Sequence, residues 1–264
     1  MKRAGLLVIF FCIVFVVGAT QRPRVILAVF AHPDDETFAG PILARYAHEG
    51  VKVYIAIATN GETGVREHAG IPAGEQLAKV RREEAVCACR ELGVQPPIFF
   101  DLVNGQIGAV TSPKGKNVQI AADKVENLIS QLHPDVIITW GPEGGYGHPD
   151  HRLVSAAVTQ VVQASKDSPE LLYVGFSTDQ AKVLNDSDNP WRTHWYATDL
   201  SYLTVRVTFT KSDETAYHHA LECHKSQFTT EEMQKFERDL DKGWAGSVLF
   251  RPWFGKQNSN SVFN

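Results

Sequence analysis

Cysteine and concentrated basic charge are both scarce in this sequence, and each scarcity excludes a class of protein. Only 4 of the 264 residues are cysteine, too few for a small scaffold held together by disulfides. The net charge is −4 and no run is rich in lysine or arginine, so the chain lacks the basic surface that nucleic acids require. An apolar fraction of 44% excludes a disordered chain and is typical of a folded globular protein.

Three common catalytic or nucleotide-binding signatures are also missing. The sequence contains no G-x-x-x-x-G-K-[ST] loop and no G-x-G-x-x-G after a predicted strand, which leaves nucleotide binding with little support. It contains no G-x-S-x-G elbow either, so a serine hydrolase is not indicated.

The N-terminus has the pattern of an export signal. Met1-Lys2-Arg3 is basic, the stretch Ala4 to Val17 is apolar, and Gly18-Ala19 supplies small residues for cleavage. We expect a signal peptide over residues 1–19 and a single folded domain over residues 20–264. The apolar stretch is shorter than the roughly 20 residues that cross a bilayer. The protein is therefore expected in the periplasm or outside the cell, with a retained membrane anchor as the alternative.

Beyond that segment, strand and helix patterns alternate along the chain. The run RVILAVF is continuously apolar, as in a central parallel strand. The alternation predicts a Rossmann-like three-layer α/β fold with a mostly parallel, doubly wound sheet. A polar, tryptophan-rich segment at 177–200 predicts a long surface loop. The predicted strands are 24–30, 51–58, 97–101, 136–140, 171–175 and 202–210, and the predicted helices are 37–48, 75–92, 118–132, 149–165, 215–227 and 231–242.

Two His-Pro-Asp motifs directly follow predicted strands. AHPDDE comes after the first strand, and GPEGGYGHPDH comes after the strand VIITW. Ligands of such sheets lie beyond the carboxyl ends of the strands. His32 and Asp35 are three residues apart, as are His148 and His151, so each pair can face one way on a helical turn. Together the two turns offer His, Asp and His ligands, which suit Zn²⁺ or another divalent transition metal.

A single His-Pro-Asp is most often a helix cap, because an aspartate near a helix start satisfies free N–H groups. Two such motifs, each directly after a strand, favour a metal site instead. Four protein ligands would close a tetrahedral site to water, so a catalytic reading requires His148 or His151 to stand off the metal. His151 is the better ligand candidate, because it holds the place in HPDH that Asp35 holds in HPDD.

At these motifs the chain resembles the PIG-L/LmbE family of metal-dependent de-N-acetylases, which act on N-acetylglucosamine-type sugars and conjugates. AHPDDE, GPEGGYGHPDH and ALECHKSQ carry the resemblance, which extends from about Val25 to Gln227. TNGETGVR and RREEAVCACRELGV match weaker family blocks. One departure is Val103-Asn104-Gly105, where relatives often have Pro-Asp-Gly, and it affects a turn more than the chemistry.

The resemblance implies a zinc site and a general base. Its ligands would be His32, Asp35 and His151, and Asp34 would be the base that activates water. In physical terms, a bound Zn²⁺ lowers the pKa of its water to about 7, and three protein ligands leave a fourth position open for that water. A neighbouring carboxylate can take the proton of that water.

The resemblance also implies supporting roles and an N-acetylated sugar or glycoconjugate as substrate. His148 would stabilise the oxyanion or protonate the leaving amine, and Asp150 would orient His148. Tyr146 would be a mobile hydrogen-bond donor near the same oxygen. Arg66 matches an arginine that contacts substrate in some bacterial relatives.

Several alternatives stay open at this stage. A secreted sugar-binding module with the same fold and no turnover is one, and a metal-dependent hydrolase of another amide or ester is a second. His224 is interpreted either as a helix-end histidine bonded to backbone or as a supporting residue at the rim of the site. The cysteines of the helix at 75–92 allow either a buried thiol or a long-range disulfide to Cys223. The oligomeric state and the native metal are not predicted.

Overall fold

A computed structural model describes residues 22–109, 117–166, 168–185, 193–254 and 258–263. The predicted signal segment at 1–19 lies outside these residues. In the described part of the chain no helix is both long and apolar enough to span a membrane. The strands are β1 (Val25–Phe30), β2 (Lys52–Thr59), β3 (Ile98–Leu102), β4 (Val136–Trp140), β5 (Glu170–Val174), β6 (Val205–Thr208) and β7 (Ser247–Pro252). The α-helices are α1 (Gly40–His48), α2 (Glu75–Glu91), α3 (Asn117–Leu132), α4 (Pro149–Ala164), α5 (Thr178–Leu184), α6 (Lys211–Leu221) and α7 (Thr230–Trp244).

The strands form one seven-stranded sheet in the order β3-β2-β1-β4-β5-β7-β6. Strands β1 to β5 pair in parallel, whereas β7 is antiparallel to both of its neighbours. The six residues of β1 are all buried because helices cover both faces of the sheet. This is the predicted three-layer α/β fold.

The side chains of β1 alternate between two apolar cores, one on each face. Ile26 and Phe30 lie in the core under α1, α2, α6 and α7, whereas Leu27 and Val29 lie in the core under α3 and α4. Strand β4 pairs directly with β1. The carboxyl ends of these two strands are therefore adjacent, and the loops that follow them meet at one edge of the sheet.

The structure corrects several predicted elements. The segment at 177–200 contains α5, which begins at a capping box between Ser177 and Gln180. The helix predicted at 215–227 is α6, and it ends at Leu221. Strand β7 was not predicted, because only a short turn separates it from α7 and the βα alternation fails there. The helix predicted at 37–48 begins with a 3₁₀ segment over Asp35–Ala39.

A disulfide joins Cys87 of α2 to Cys223, just after α6. This is the long-range bridge that the sequence left open. Cys89, two residues along α2, is a buried free cysteine. The bridge ties the chain segment that carries His224 to the helix that lies beside it.

Candidate metal and catalytic site

The first His-Pro-Asp forms a tight turn rather than a helix cap. Asp35 N–H lies 3.3 Å from the carbonyl of His32, and Asp34 has a φ of 100° and a ψ of −19°. These angles are those of a type II turn with Pro33 in the second position, which proline favours. The third position favours glycine, so Asp34 occupies a backbone conformation that is strained for its type.

The second His-Pro-Asp begins helix α4. Pro149 stands at the first helical position, where its missing N–H costs no hydrogen bond. His148 is the N-cap residue, and its Nδ1 accepts the N–H of Asp150 at 3.1 Å. The two motifs therefore share a sequence and differ in backbone.

Three acceptor atoms from the two turns converge on one point. His151 Nε2 lies 3.1 Å from His32 Nδ1 and 3.1 Å from Asp35 Oδ1. The other nitrogen of each imidazole faces an oxygen, since His32 Nε2 is 3.3 Å from Asp150 Oδ2 and His151 Nδ1 is 3.2 Å from the carbonyl of Gly144. In the tautomers whose ring protons point to those oxygens, two imidazole lone pairs and a carboxylate face one another.

This arrangement fits a divalent metal ion. A tetrahedral zinc ion with bonds of about 2.0–2.1 Å holds its ligand atoms about 3.3 Å apart. The two separations from His151 Nε2 are close to that value, whereas His32 Nδ1 lies 3.8 Å from Asp35 Oδ2, and all three side chains are buried. His148 is also near, since ligand atoms of His32, His148 and His151 lie within 4.8 Å of one another. Facing lone pairs repel unless a cation or a proton lies between them, so a divalent ion or a shared proton accounts for these short contacts. The structure thus brings together the three residues predicted as metal ligands.

The charges of the site depend on this convergence. Burial by itself raises the pKa of Asp35, but His151 and His32 outweigh burial and hold that pKa below its usual range. The Asp35 Oδ2 atom also accepts the N–H groups of Ala31 and His32 at 3.0 and 2.9 Å. Burial lowers the pKa of His32, and the contacts with Asp150 and Asp35 outweigh it, so the pKa is raised.

We predicted that Asp150 orients His148, but its carboxylate does not contact the His148 ring. Its Oδ2 lies 3.3 Å from His32 Nε2 and accepts the Gly105 N–H at 2.7 Å. Only the backbone N–H of Asp150 contacts the His148 ring. The carboxylate therefore supports a candidate metal ligand, in the carboxylate–histidine–metal arrangement common at zinc sites.

His148 lies beside His32 and His151. Its Nδ1 atom makes the cap hydrogen bond, and its Nε2 atom does not take part in that bond. Its ring centroid lies 4.7 Å from that of His32 and 4.8 Å from that of His151. Burial and the two neighbouring histidines lower the pKa of His148 to about 4. A neutral ring whose Nδ1 accepts a hydrogen bond carries its proton on Nε2, which makes that atom a donor.

Asp34 is held at the mouth of the site by an arginine of α2. Arg81 Nη2 lies 2.9 Å from Asp34 Oδ2 and also donates to the Pro33 carbonyl, while Nη1 donates to the Gly61 carbonyl. Burial raises the pKa of Asp34 to about 6, although Arg81 opposes the rise. A carboxylate with a pKa in that range is suited to exchange protons near neutral pH.

An aromatic-lined cavity of about 190 Å³ opens beside Asp34 and Asp35. Tyr146 lies on its wall, and burial and the nearby carboxylates raise the pKa of the phenol, which therefore keeps its proton. Arg66 also lines the cavity, where its guanidinium pairs with Glu232. The apolar lining residues are Phe38, Trp195, Phe228 and Phe236.

A second group of ligand-type side chains, on α6 and α7, is already paired. His218 Nε2 lies 3.0 Å from Asp241, and Glu214 pairs with Lys211. All three members of the group are partly exposed. This cluster is an ion-pair network on the surface, and it lies apart from the cavity.

Comparison with known proteins places this geometry in a family. The PIG-L family profile, described as GlcNAc-PI de-N-acetylase, matches residues 27–162, which cover both His-Pro-Asp turns. The chain belongs to the PIG-L family. A PIG-L relative from Saccharomonospora viridis, a 1D-myo-inositol 2-acetamido-2-deoxy-alpha-D-glucopyranoside deacetylase, is 30% identical over 228 residues, which is 77% of this chain and 85% of the relative.

A second such deacetylase, from Catenulispora acidiphila, is 38% identical over 147 residues, or 50% of this chain. The matched part spans about half, 48%, of the length of that relative.

Solved structures support the fold. The N,N'-diacetylchitobiose deacetylase from Pyrococcus horikoshii superimposes with a TM-score of 0.63 at 20% identity, covering 88% of this chain and 84% of that one. The 4-carboxy-2-hydroxymuconate hydratase from Pseudomonas putida does so with a TM-score of 0.62 at 15% identity, covering 90% of this chain and 99% of that one. Since a deacetylase and a hydratase share this fold, the fold alone does not decide the reaction.

Two polar residues near the site, Arg81 and Glu36, had no role among the predictions made from the sequence. Arg81 belongs to the RREE block, and its position on α2 places it against Asp34. Glu36 closes AHPDDE and is buried beside His224. Each residue lies in a motif that could have drawn attention to it. Which side chains meet, however, depends on the packing of α2 and α6 against the turn at Asp34.

Proposed function

We propose that this protein is a metal-dependent de-N-acetylase that hydrolyses the acetamide of an N-acetylglucosamine-type sugar or glycoconjugate. The observation that carries the proposal is the convergence of His32 Nδ1, Asp35 Oδ1 and His151 Nε2, with the Asp34 carboxylate beside them. Family membership supports amide hydrolysis, because the family profile and several relatives are named as deacetylases.

The proposed ligands are His32, Asp35 and His151, and zinc is the proposed ion. When bound, such an ion supplies a Lewis acid that acidifies water and polarises a carbonyl. Asp150 holds the His32 ring through Nε2, and the Gly144 carbonyl holds the His151 ring through Nδ1. These contacts fix both tautomers so that the lone pairs point inward.

Asp34 is the proposed general base. From the turn, its carboxylate takes a proton from the attacking water and later passes it to the leaving amine. Arg81 keeps one Asp34 oxygen in place through the contact with Oδ2. A raised pKa lets the group accept and return a proton without a large energetic cost near neutral pH.

His148 and Tyr146 are proposed to stabilise the oxyanion that forms on the acetyl carbonyl. His148 donates from Nε2, since Nδ1 is occupied by the cap bond. The Tyr146 phenol stays protonated and is a second donor on the cavity wall. Donors held in place before the reaction stabilise such charge without reorganising.

The proposed substrate class follows from the relatives and from the cavity. Both named relatives act on an N-acetylated glucosamine joined to inositol, and the Pyrococcus enzyme acts on diacetylchitobiose. Trp195 is one of the aromatic residues that line the cavity, and aromatic rings pack well against the C–H surfaces of sugars. Arg66 is the proposed contact for a polar part of the substrate at the cavity wall.

The test is acetate release by protein loaded with zinc. The panel contains N-acetylglucosamine, N,N'-diacetylchitobiose, an N-acetylglucosaminyl inositol, and simple acetanilides and acetate esters. We expect acetate and a free amine in equal amounts from at least one sugar, and release slowed about 10²- to 10⁴-fold in metal-loaded Asp34→Asn. Turnover of the simple amides or esters alone would establish another hydrolase, and sugar binding without acetate would establish a binding module.

We also propose that the protein is exported, as the signal pattern at 1–19 predicts. The Cys87–Cys223 disulfide supports this, because structural disulfides persist mainly in oxidising compartments. Mass spectrometry of protein from the native host should find the N-terminus at Thr20. An intact Met1 in the membrane fraction would replace secretion with a retained anchor.

A further inference from the structure

His224 of the motif ALECHKSQ is fully buried and has no part in the reaction proposed above. Of the two interpretations that the sequence left open, a ring bonded to backbone is wrong, because Nε2 contacts Glu36 and Nδ1 has no hydrogen-bond partner among the described residues. His224 lies three residues beyond the end of α6, and its Nε2 atom is 2.6 Å from Glu36 Oε1. Glu36 is itself 2% exposed, so this is a charge-assisted contact away from water.

The second oxygen of Glu36 reaches the strained turn. Glu36 Oε2 accepts the backbone N–H of Asp34 at 3.0 Å. That N–H belongs to the residue whose φ is 100°, in the turn position that favours glycine. A non-glycine residue keeps such a conformation only when its surroundings hold it there. Glu36 is one of the groups that hold it.

The segment that carries His224 is fixed from α2. Cys223 is bonded to Cys87, and Ser226 donates its N–H and hydroxyl to the two oxygens of Glu84 at 2.6 and 2.7 Å. The same helix carries Arg81, which contacts the Asp34 carboxylate. Arg81 of α2 therefore holds the Asp34 side chain. Glu36 holds the Asp34 amide and contacts His224, whose segment is itself bonded to α2.

We propose that His224 is a positioning residue that acts through Glu36 to keep Asp34 in the left-handed conformation from which its carboxylate reaches the reacting water. This inference rests on the proposed function of Asp34 as base. The alternative is that the His224–Glu36 pair only stabilises the fold. If His224 positions Asp34, removal of the contact lowers kcat while metal content and KM stay constant. If the pair only stabilises the fold, kcat stays unchanged.

Two substitutions of His224 make a matched pair. His224→Gln places an amide where Nε2 stands and keeps a donor for Glu36. His224→Asn is one methylene shorter and places its amide near Nδ1, an atom without a hydrogen-bond partner among the described residues. Ser226→Ala is the control, because it removes the two buried hydrogen bonds of the Ser226 hydroxyl, to Glu84 and from Gln227, and leaves the Glu36 contact in place.

We expect His224→Asn to lower kcat by about 10- to 100-fold, the scale of a misplaced catalytic group, with zinc content and KM unchanged. His224→Gln should recover kcat to within about threefold of wild type, a difference small beside that loss. Ser226→Ala should lower the melting temperature about as much as His224→Asn does and leave kcat unchanged. Equal kcat in the Asn and Gln variants, or an equal loss in Ser226→Ala, would overturn the proposal.

A crystal structure of zinc-loaded His224→Asn separates this inference from the proposed function. We expect Asp34 to leave the left-handed region or its N–H to lose the contact with Glu36. An Asp34 that keeps its φ and its contact in that variant overturns the positioning role. If the wild-type protein releases no acetate from any substrate, the proposed function fails, and the backbone of Asp34 in the variant still decides the inference.

Discussion

The two His-Pro-Asp turns share three residues and use them differently. In the first turn, His32 aims Nδ1 at the proposed metal position, and Asp34 stands in a left-handed conformation. In the second turn, the Nδ1 atom of His148 caps α4, and Asp150 lies in a regular helix. What differs is the following backbone, a 3₁₀ segment in one case and an α-helix in the other.

The comparison teaches that position within a motif does not fix a chemical role. Only the fourth position has the same proposed role in both turns, since Asp35 and His151 both face the proposed metal. The third position is a base in one turn and supports a ligand in the other. Matched substitutions at each position therefore test whether the two turns have the roles assigned to them.

The fourth position should give the largest effect, and the same effect in both turns. Asp35→Ala and His151→Ala each remove one of three ligands, so we expect both proteins to lose bound zinc and nearly all turnover. Elemental analysis after dialysis measures the metal, and acetate release measures turnover. Excess zinc should partly restore His151→Ala. A variant that stays fully loaded would remove that residue from the ligand set.

The first position should separate the turns. His32→Ala is expected to lose metal, whereas His148→Ala should keep it and lose about two to four decades of kcat, the cost of a lost oxyanion donor or proton donor. Metal content and kcat measured on the same preparations decide this. A metal-free His148→Ala beside a loaded His32→Ala would reverse the two roles.

The third position should separate the turns in the opposite sense. Asp34→Asn keeps a residue that tolerates left-handed backbone, so we expect bound metal to remain and kcat to fall about 10²- to 10⁴-fold. Asp150→Asn should instead weaken zinc affinity about 10- to 100-fold, because the carboxylate supports His32. Competition with a chelator measures the affinity. Asp150→Asn with normal affinity and low kcat would return Asp150 to an orienting role at His148.

The second position should have the smallest effect. Pro33→Ala and Pro149→Ala each free the unfolded chain, which costs about 0.4–1 kcal/mol of stability at a site that proline fits. Urea unfolding measures both. Only Pro33→Ala should also lower kcat, by less than about tenfold, because only the first turn sets a catalytic backbone. A larger loss of kcat in Pro149→Ala would show that the start of α4 also positions the reaction.

Much of the fold could be predicted because its signals are local. The buried runs of β1 and β4 and the amphipathic patterns of α2 and α3 predict elements whose bounds agree closely with the structure. The start of α6 was misplaced because the capping box at Thr210 begins that helix earlier than the apolar pattern indicates. Strand β7 was missed because it follows α7 after a short turn and pairs antiparallel with β5 and β6, which breaks the βα alternation that guided the prediction.

By itself the sequence determined the chemistry available to this protein. Two turns at the ends of strands supply imidazoles and carboxylates three residues apart, and that spacing holds wherever the strands lie. Only the tertiary structure decided which atoms meet. The pairing of β1 with β4 puts His151 against Asp35. Helix α2 brings Arg81 to Asp34, and the segment after α6 brings His224 to Glu36. Such contacts join residues far apart in the chain, so they depend on packing rather than on local sequence.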